Sequence, residues 1–233
     1  MSLLLNNLFN QPIADALRDN CSTVYGVVLN DGQSVAKLAP QLQQPPYKAE
    51  PIAPILYIKP KNTFANNAAI VTLPSGEEAV EVAASVALIM SRESSAVDVQ
   101  DSAANIAGLA LVADLSLPHD SYYRPAIREK CFDGALPIAD NLIAVDSLSD
   151  IESLKIDTFI NDQLVDSKSF TDLVRSPAQL LSDVTAYMHL KTMDALLVGV
   201  SFQAPHAKAG DKVRLQIAGV SQLNFEIAAG DAQ

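Results

Sequence analysis

A chain of 233 residues that is 49% hydrophobic and 18% charged can bury a substantial core and is too apolar to remain disordered. Its formal net charge of −11 argues against a nucleic-acid surface, which needs clustered Lys and Arg, yet permits an anionic small molecule in a local basic pocket. Cys21 and Cys131 lie far apart and outside any metal-ligand spacing, so both read as reduced thiols in a cytoplasmic protein. The opening MSLLLNNLFNQPI lacks the basic stretch and small-residue cleavage site of a signal peptide. No apolar run approaches the roughly 20 residues that span a bilayer.

Pro12 to Asp19 can form a short helix, and Thr23 to Leu29 is β-branched and aromatic enough for a strand. Residues 41–54 carry four prolines (Pro45, Pro46, Pro51, Pro54) and must be extended or looped, since proline lacks an amide donor. That stretch predicts a boundary between a small N-terminal β/α lobe, residues 1–45, and a main body, residues 46–233. Apolar runs follow at Ile55–Ile58, Ala69–Leu73 and Val80–Met90, with a turn at Ser75-Gly76 between the last two. Val99, Ala103, Ile106 and Ala107 have helical spacing, with Gly108 as a break before a strand.

Residues 154–167 predict a hairpin turning at Asn161-Asp162. Ser176-Pro177-Ala178-Gln179 supplies an N-cap serine, a first-turn proline and a capping-box glutamine. The stripe Leu180, Leu181, Val184, Tyr187, Met188 follows it with a period of 3.6. Val213, Leu215 and Ile217 alternate, Gly219 turns, and Leu223, Phe225 and Ile227 alternate back, which makes a second hairpin. The sum is α+β, a mixed β-roll with few helices rather than alternating βαβ units.

Four motifs carry a family resemblance in order: PPYKAEP and LYIKPKNT within 45–63, SLPHDSYYRPAIREKCFDGALPI at 116–138, AQLLSDV at 178–184 and AGDKVRL at 209–215. Together they resemble the fumarylacetoacetate hydrolase superfamily over roughly residues 24–227. The likeness is strongest to the branch whose members join two such halves to isomerise and decarboxylate intermediates of 4-hydroxyphenylacetate degradation. The chain resembles the N-terminal, carboxylate-poor half. The resemblance implies a β-roll around a cleft, oligomers built from dimers, and chemistry on acylpyruvate-like dicarboxylates at Mg²⁺ or Mn²⁺. The dication would chelate a 2-oxo acid and stabilise its enolate, held by a Glu-x-Glu pair and a later Asp.

Matched position by position, the Glu-x-Glu pair falls on Ala83 and Ser85, and only Asp114 matches a metal carboxylate. Glu81 lies one pleat earlier, about 6.6 Å along the strand, and cannot simply substitute for the pair. No metal is therefore expected at the family position. The family's catalytic His-x-x-Glu falls on Ser34 and Lys37, its Arg-Asp pair around Pro118-His119, and its carboxylate-touching Gly-Thr-Pro turn on Gly199-Val200-Ser201. Lys130 and Asp114 remain as candidate catalytic residues, and Arg124 and Tyr123 as candidate substrate-binding residues.

Lys130 can stabilise an enolate, or it can pair with Asp114 or Asp133 to hold the fold. Arg124 can grip a carboxylate with its fork, or anchor a subunit interface beside Tyr122 and Tyr123. His119, His189 and His206 read as surface or junction residues, and Cys131 as a structural thiol. The resemblance implies a subunit acting on 2-hydroxyhepta-2,4-diene-1,7-dioate and 5-oxopent-3-ene-1,2,5-tricarboxylate. The alternative is an inactive structural partner of a metal-binding paralogue, in a homo- or hetero-oligomer.

Overall fold

The computed structural model describes residues 11–230 apart from Cys21 and Asp120. The reading of residues 1–10 as free of a signal peptide, and that of Cys21 as a thiol, lie outside the described residues. The described chain is α+β with two sheets. The larger contains β1 (Val24–Val28), β2 (Ile55–Lys59), β3 (Phe64–Ala65), β5 (Ala79–Met90), β6 (Ile106–Ser116), β7 (Leu136–Ile143) and β10 (Ala195–Leu197), in the order β2-β1-β10-β5-β6-β7-β3, with β11 (His206–Lys208) on the free stretch of β5. The smaller contains β4 (Ala69–Thr72), β8 (Lys155–Ile160), β9 (Gln163–Ser169), β12 (Lys212–Ile217) and β13 (Ser221–Ala228), in the order β4-β13-β12-β8-β9. The helices are α1 (Ile13–Asp19), α2 (Gly32–Leu42), α3 (Ile127–Lys130) and α4 (Pro177–Thr185).

Strands β5 and β6 form the spine, and their apolar composition follows from burial on both faces. Alternation sends Val80, Val82, Ala84, Val86, Leu88 and Met90 toward the smaller sheet, where they meet Val213, Leu215, Leu223 and Phe225. The opposite face carries Ala87, Ile89, Ala110 and Val112, and is covered by Ile13, Ala14, Ala16 and Leu17 of α1. Residues Glu81, Ala83 and Ser85 continue along this second face, so the same alternation that builds the core aims them at the site.

Both expected hairpins form. Asn161 and Asp162 adopt positive φ of 50° and 62°, the twist that a two-residue turn requires. Ser176 caps α4 by accepting from the Gln179 amide. The helix ends at Thr185, leaving Tyr187 of the expected stripe exposed.

Three expectations need correction. The boundary at residue 45 does not set an N-terminal lobe apart. β1 is an inner strand between β2 and β10, and α1 covers the face of the main sheet. The prolines merely route the chain from α2 back to β2. The helical spacing from Val99 gives a 3-10 segment ending at Asn105, and β6 begins at Ile106. Gly108 sits inside that strand because a Cβ there would lie 2.6 Å from Leu142 Cγ and 2.7 Å from the Ile143 carbonyl. Finally, residues 32–42 form a helix that was not expected: Asp31 caps it by accepting from the Ser34 amide, and Pro40 lies inside it, where it cannot donate to the carbonyl four residues back.

Candidate active site

Among the described residues, Lys59 is one of the largest fully buried side chains and is wholly shielded from solvent. It alternates with Tyr57 on β2, so both side chains leave the same face of that strand. The sheet curls until the end of β2 meets the ends of β6 and β7. There Lys59 Nζ donates to the carbonyls of Leu115 (2.8 Å), Lys130 (2.8 Å) and Ala135 (3.0 Å). It also lies 2.6 Å from Asp114 Oδ1. Lys130, at the end of α3, approaches the other oxygen, with Nζ 2.9 Å from Oδ2 and 4.7 Å from the centre of the Tyr57 ring. The Tyr57 hydroxyl donates to Oδ2 as well. Gly26 makes this possible, since a Cβ there would fall 2.0 Å from the Tyr57 ring.

Two ammoniums thus flank one carboxylate in the interior. Asp114 and Lys59 are fully buried, and only Lys130 keeps a little exposure, 5% of its side chain. A ligand must reach the trio through Lys130. Burial pushes the Asp114 carboxyl up, but the Lys130 and Lys59 charges and the hydrogen bonds from Lys59 and Tyr57 outweigh it and hold it at about 2. Burial lowers Lys59 to about 8 against the opposing pull of Asp114. Burial, reinforced by the Asp114 charge, raises the Tyr57 phenol well above its usual value.

The depressed Asp114 value fixes a pH dependence. The ionised form stabilises the fold fully above the unfolded value of about 3.9, and that contribution is lost as pH falls through about 2. Its size is on the order of 2–3 kcal/mol. Urea denaturation at pH 6 and pH 2 should therefore show the stability gap between wild type and Asp114→Asn narrowing by that amount in acid.

Across the β5–β6 ladder Ala83 stands opposite Asp114, Ser85 opposite Val112 and Glu81 opposite Ser116. Ala83 packs with Val200 and Ala204, and Ser85 Oγ donates to the Gly199 carbonyl at 2.7 Å. Among the described residues, no group of three or more His, Cys, Asp or Glu side chains is placed to hold a metal ion. Ser34 is buried: it donates to Asp31 and accepts from the Phe202 amide at 2.8 Å, fastening α2 to the 200s loop. Lys37 is exposed. Ser201 Oγ accepts from the buried Lys168, 3.2 Å away, whose Nζ also lies 3.4 Å from Asp31.

Of the residues expected from sequence, Lys130 and Asp114 are brought together, whereas Tyr123 and Arg124 are not. Tyr123 is exposed and packs edge-on against Tyr47 at 6.0 Å, and Arg124 is exposed beside it. Tyr122 turns inward instead, meeting His119 at 5.4 Å and Phe202 at 5.9 Å. Lys59 and Tyr57 were missed, although a lysine within an apolar strand and just ahead of a proline was the available signal. His189 is exposed beside Glu93, His206 is exposed beside Glu81, and His119 lies at the junction after β6. Burial raises the Glu81 carboxyl, while His119, His206 and Lys130 pull it down.

Comparison with known proteins agrees with this architecture. The profile of the family described as fumarylacetoacetate (FAA) hydrolase C-terminal matches residues 23–228. A 4-hydroxyphenylacetate degradation bifunctional isomerase/decarboxylase of Escherichia coli is 37% identical over 201 residues, covering 86% of this chain and 46% of its own length. The chain therefore spans about half the length of the curated relatives it matches. Two solved structures share the fold. Fumarylpyruvate hydrolase from Pseudomonas aeruginosa, solved with Mn²⁺ and pyruvate, has a TM-score of 0.75 at 16% identity, covering 89% of this chain and 90% of that one. A 5-carboxymethyl-2-hydroxymuconate delta-isomerase from Mycobacterium smegmatis gives 0.74 at 19% identity, covering 91% and 80%. Among the described residues, no helix is long and apolar enough to cross a membrane.

Proposed function

The chain belongs to the fumarylacetoacetate hydrolase family, and from that premise we propose that it binds an oxo-dicarboxylate within an isomerase/decarboxylase assembly and does so without a metal of its own. The substrates in view are 2-hydroxyhepta-2,4-diene-1,7-dioate and 5-oxopent-3-ene-1,2,5-tricarboxylate. The observation that carries this reading is the pair of lysines on Asp114. Three charged groups sum to a positive excess, presented by Lys130 at the mouth of the cluster. An enolate oxygen placed there gains an ammonium partner in a water-poor setting.

The donor set does not fit Mg²⁺ or Mn²⁺. Ala83 and Ser85 offer no carboxylate, and both Asp114 oxygens already face ammonium groups, so a hard dication would meet one neutralised ligand and two like charges. Tyr123 and Arg124, at the exposed rim beyond Tyr122, suit either the far carboxylate of the substrate or a neighbouring subunit.

A second reading has its own support. The missing carboxylates and the half-length match to two-function relatives both suit a structural partner of a metal-holding paralogue. Turnover of 2-hydroxyhepta-2,4-diene-1,7-dioate, followed by ultraviolet absorbance, separates the two. Turnover by the chain alone in excess chelator supports the first reading. Turnover only with the paralogue and added Mg²⁺ or Mn²⁺ supports the second, and none in either mixture rejects both.

A further inference from the structure

We propose that Glu81, beside His206 and opposite the Ser116 that engages His119, is the proton-carrying residue of this site, in place of the helix dyad that the chain lacks. The inference rests on the enzymatic reading above and deepens it. Glu81 and Asp114 lie on one sheet face as diagonal neighbours across β5 and β6, about 7–8 Å apart at the backbone. An oxo group whose oxygen rests on Lys130, the partner of Asp114, would place its neighbouring carbon on the sheet face that carries Glu81.

The surroundings of Glu81 suit a residue that exchanges a proton. His206 Nε2 is 3.6 Å from its carboxylate, across the β5–β11 ladder. His119 Nδ1 engages the Leu117 carbonyl at 3.1 Å and Ser116 Oγ at 3.3 Å. Its Nε2 is buried without a hydrogen-bond partner among the described residues. A buried ring nitrogen left unpaired costs free energy unless something arrives to meet it. Tyr122 packs edge-on against both His119 and Phe202, which makes that side of the His119 ring apolar.

The step balances without a co-reactant. In the keto form of 2-hydroxyhepta-2,4-diene-1,7-dioate, a C–H bond at the carbon beside the oxo group breaks. Its proton passes to a Glu81 oxygen, and the electron pair enters the dienolate whose oxygen faces Lys130. Returning the proton to the carbon two atoms further along forms a new C–H bond and moves the double bond one position toward the oxo group.

The test is proton NMR of this compound with the purified chain in D₂O and excess chelator, together with calorimetric binding of oxalate as an enolate mimic. Wild type should exchange deuterium into the carbon beside the oxo group. Glu81→Gln should slow that exchange about 10²-fold or more, and Glu81→Asp should restore part of it. Oxalate affinity of Glu81→Gln should stay within about twofold of wild type, which separates proton transfer from binding. Exchange by Glu81→Gln at the wild-type rate would overturn the inference and leave the enzymatic reading standing. So would a loss of oxalate binding that matches the loss of exchange. Wild type that exchanges no faster than buffer would overturn both.

Discussion

Asp114→Asn is expected to cost the fold about 3–5 kcal/mol, more than any other single substitution at the site. Removing the carboxylate charge leaves Lys59 and Lys130 buried together with no anion between them. Lys59→Met should rank second. It keeps one lysine on Asp114, but it takes the donor away from the Leu115, Lys130 and Ala135 carbonyls, which join the ends of β6, α3 and β7. Lys130→Met should cost least, because it leaves Lys59 and Asp114 as a balanced pair with the Tyr57 hydroxyl still bound. For a chain of this size each kcal/mol lowers Tm by roughly 2–4 °C, so calorimetric scans resolve the order. Equal losses in all three variants would mean that the trio acts only as a generic buried cluster.

Lys130→Met is expected to have the largest effect on function and little on stability. Of the trio, Lys130 alone keeps contact with solvent, and the positive excess resides there. Removing one electrostatic stabiliser of a developing oxyanion typically costs about 2.7–4 kcal/mol, or roughly 10²–10³ in rate. Turnover of 2-hydroxyhepta-2,4-diene-1,7-dioate should fall by that factor while Tm stays near wild type. The reverse pattern, normal turnover with a badly destabilised fold, would assign Lys130 to scaffold alone.

The parts of this fold legible in the sequence are those with a local physical signal. Asn161-Asp162, Ser176-Pro177 and the alternation around Gly219 each state their own geometry, and all three form as read. Helix α2 is hidden because Pro40 is a strong local breaker, yet the helix runs through it to Leu42. The supposed N-terminal lobe failed for a non-local reason: the partners of β1 are β2 and β10, and β10 lies some 170 positions away, beyond any local pattern. The site divides in the same way. Asp114 and Lys130 were found through a motif, but only the curl of the sheet brings Lys59 and Tyr57 to Asp114. In the sequence Glu81 reads only as a displaced metal ligand. Its histidine neighbours come from a loop and a short strand that sequence spacing does not connect.

In the proposed function Lys130, rather than a dication, is the electrostatic centre for an anionic ligand. Oxalate titrated into the wild-type chain in excess chelator, followed by calorimetry beside Lys130→Met, distinguishes the two. Saturable binding to wild type without metal, lost in Lys130→Met, is the expected result. Binding that appears only when Mg²⁺ or Mn²⁺ is restored, and that survives in Lys130→Met, would contradict it.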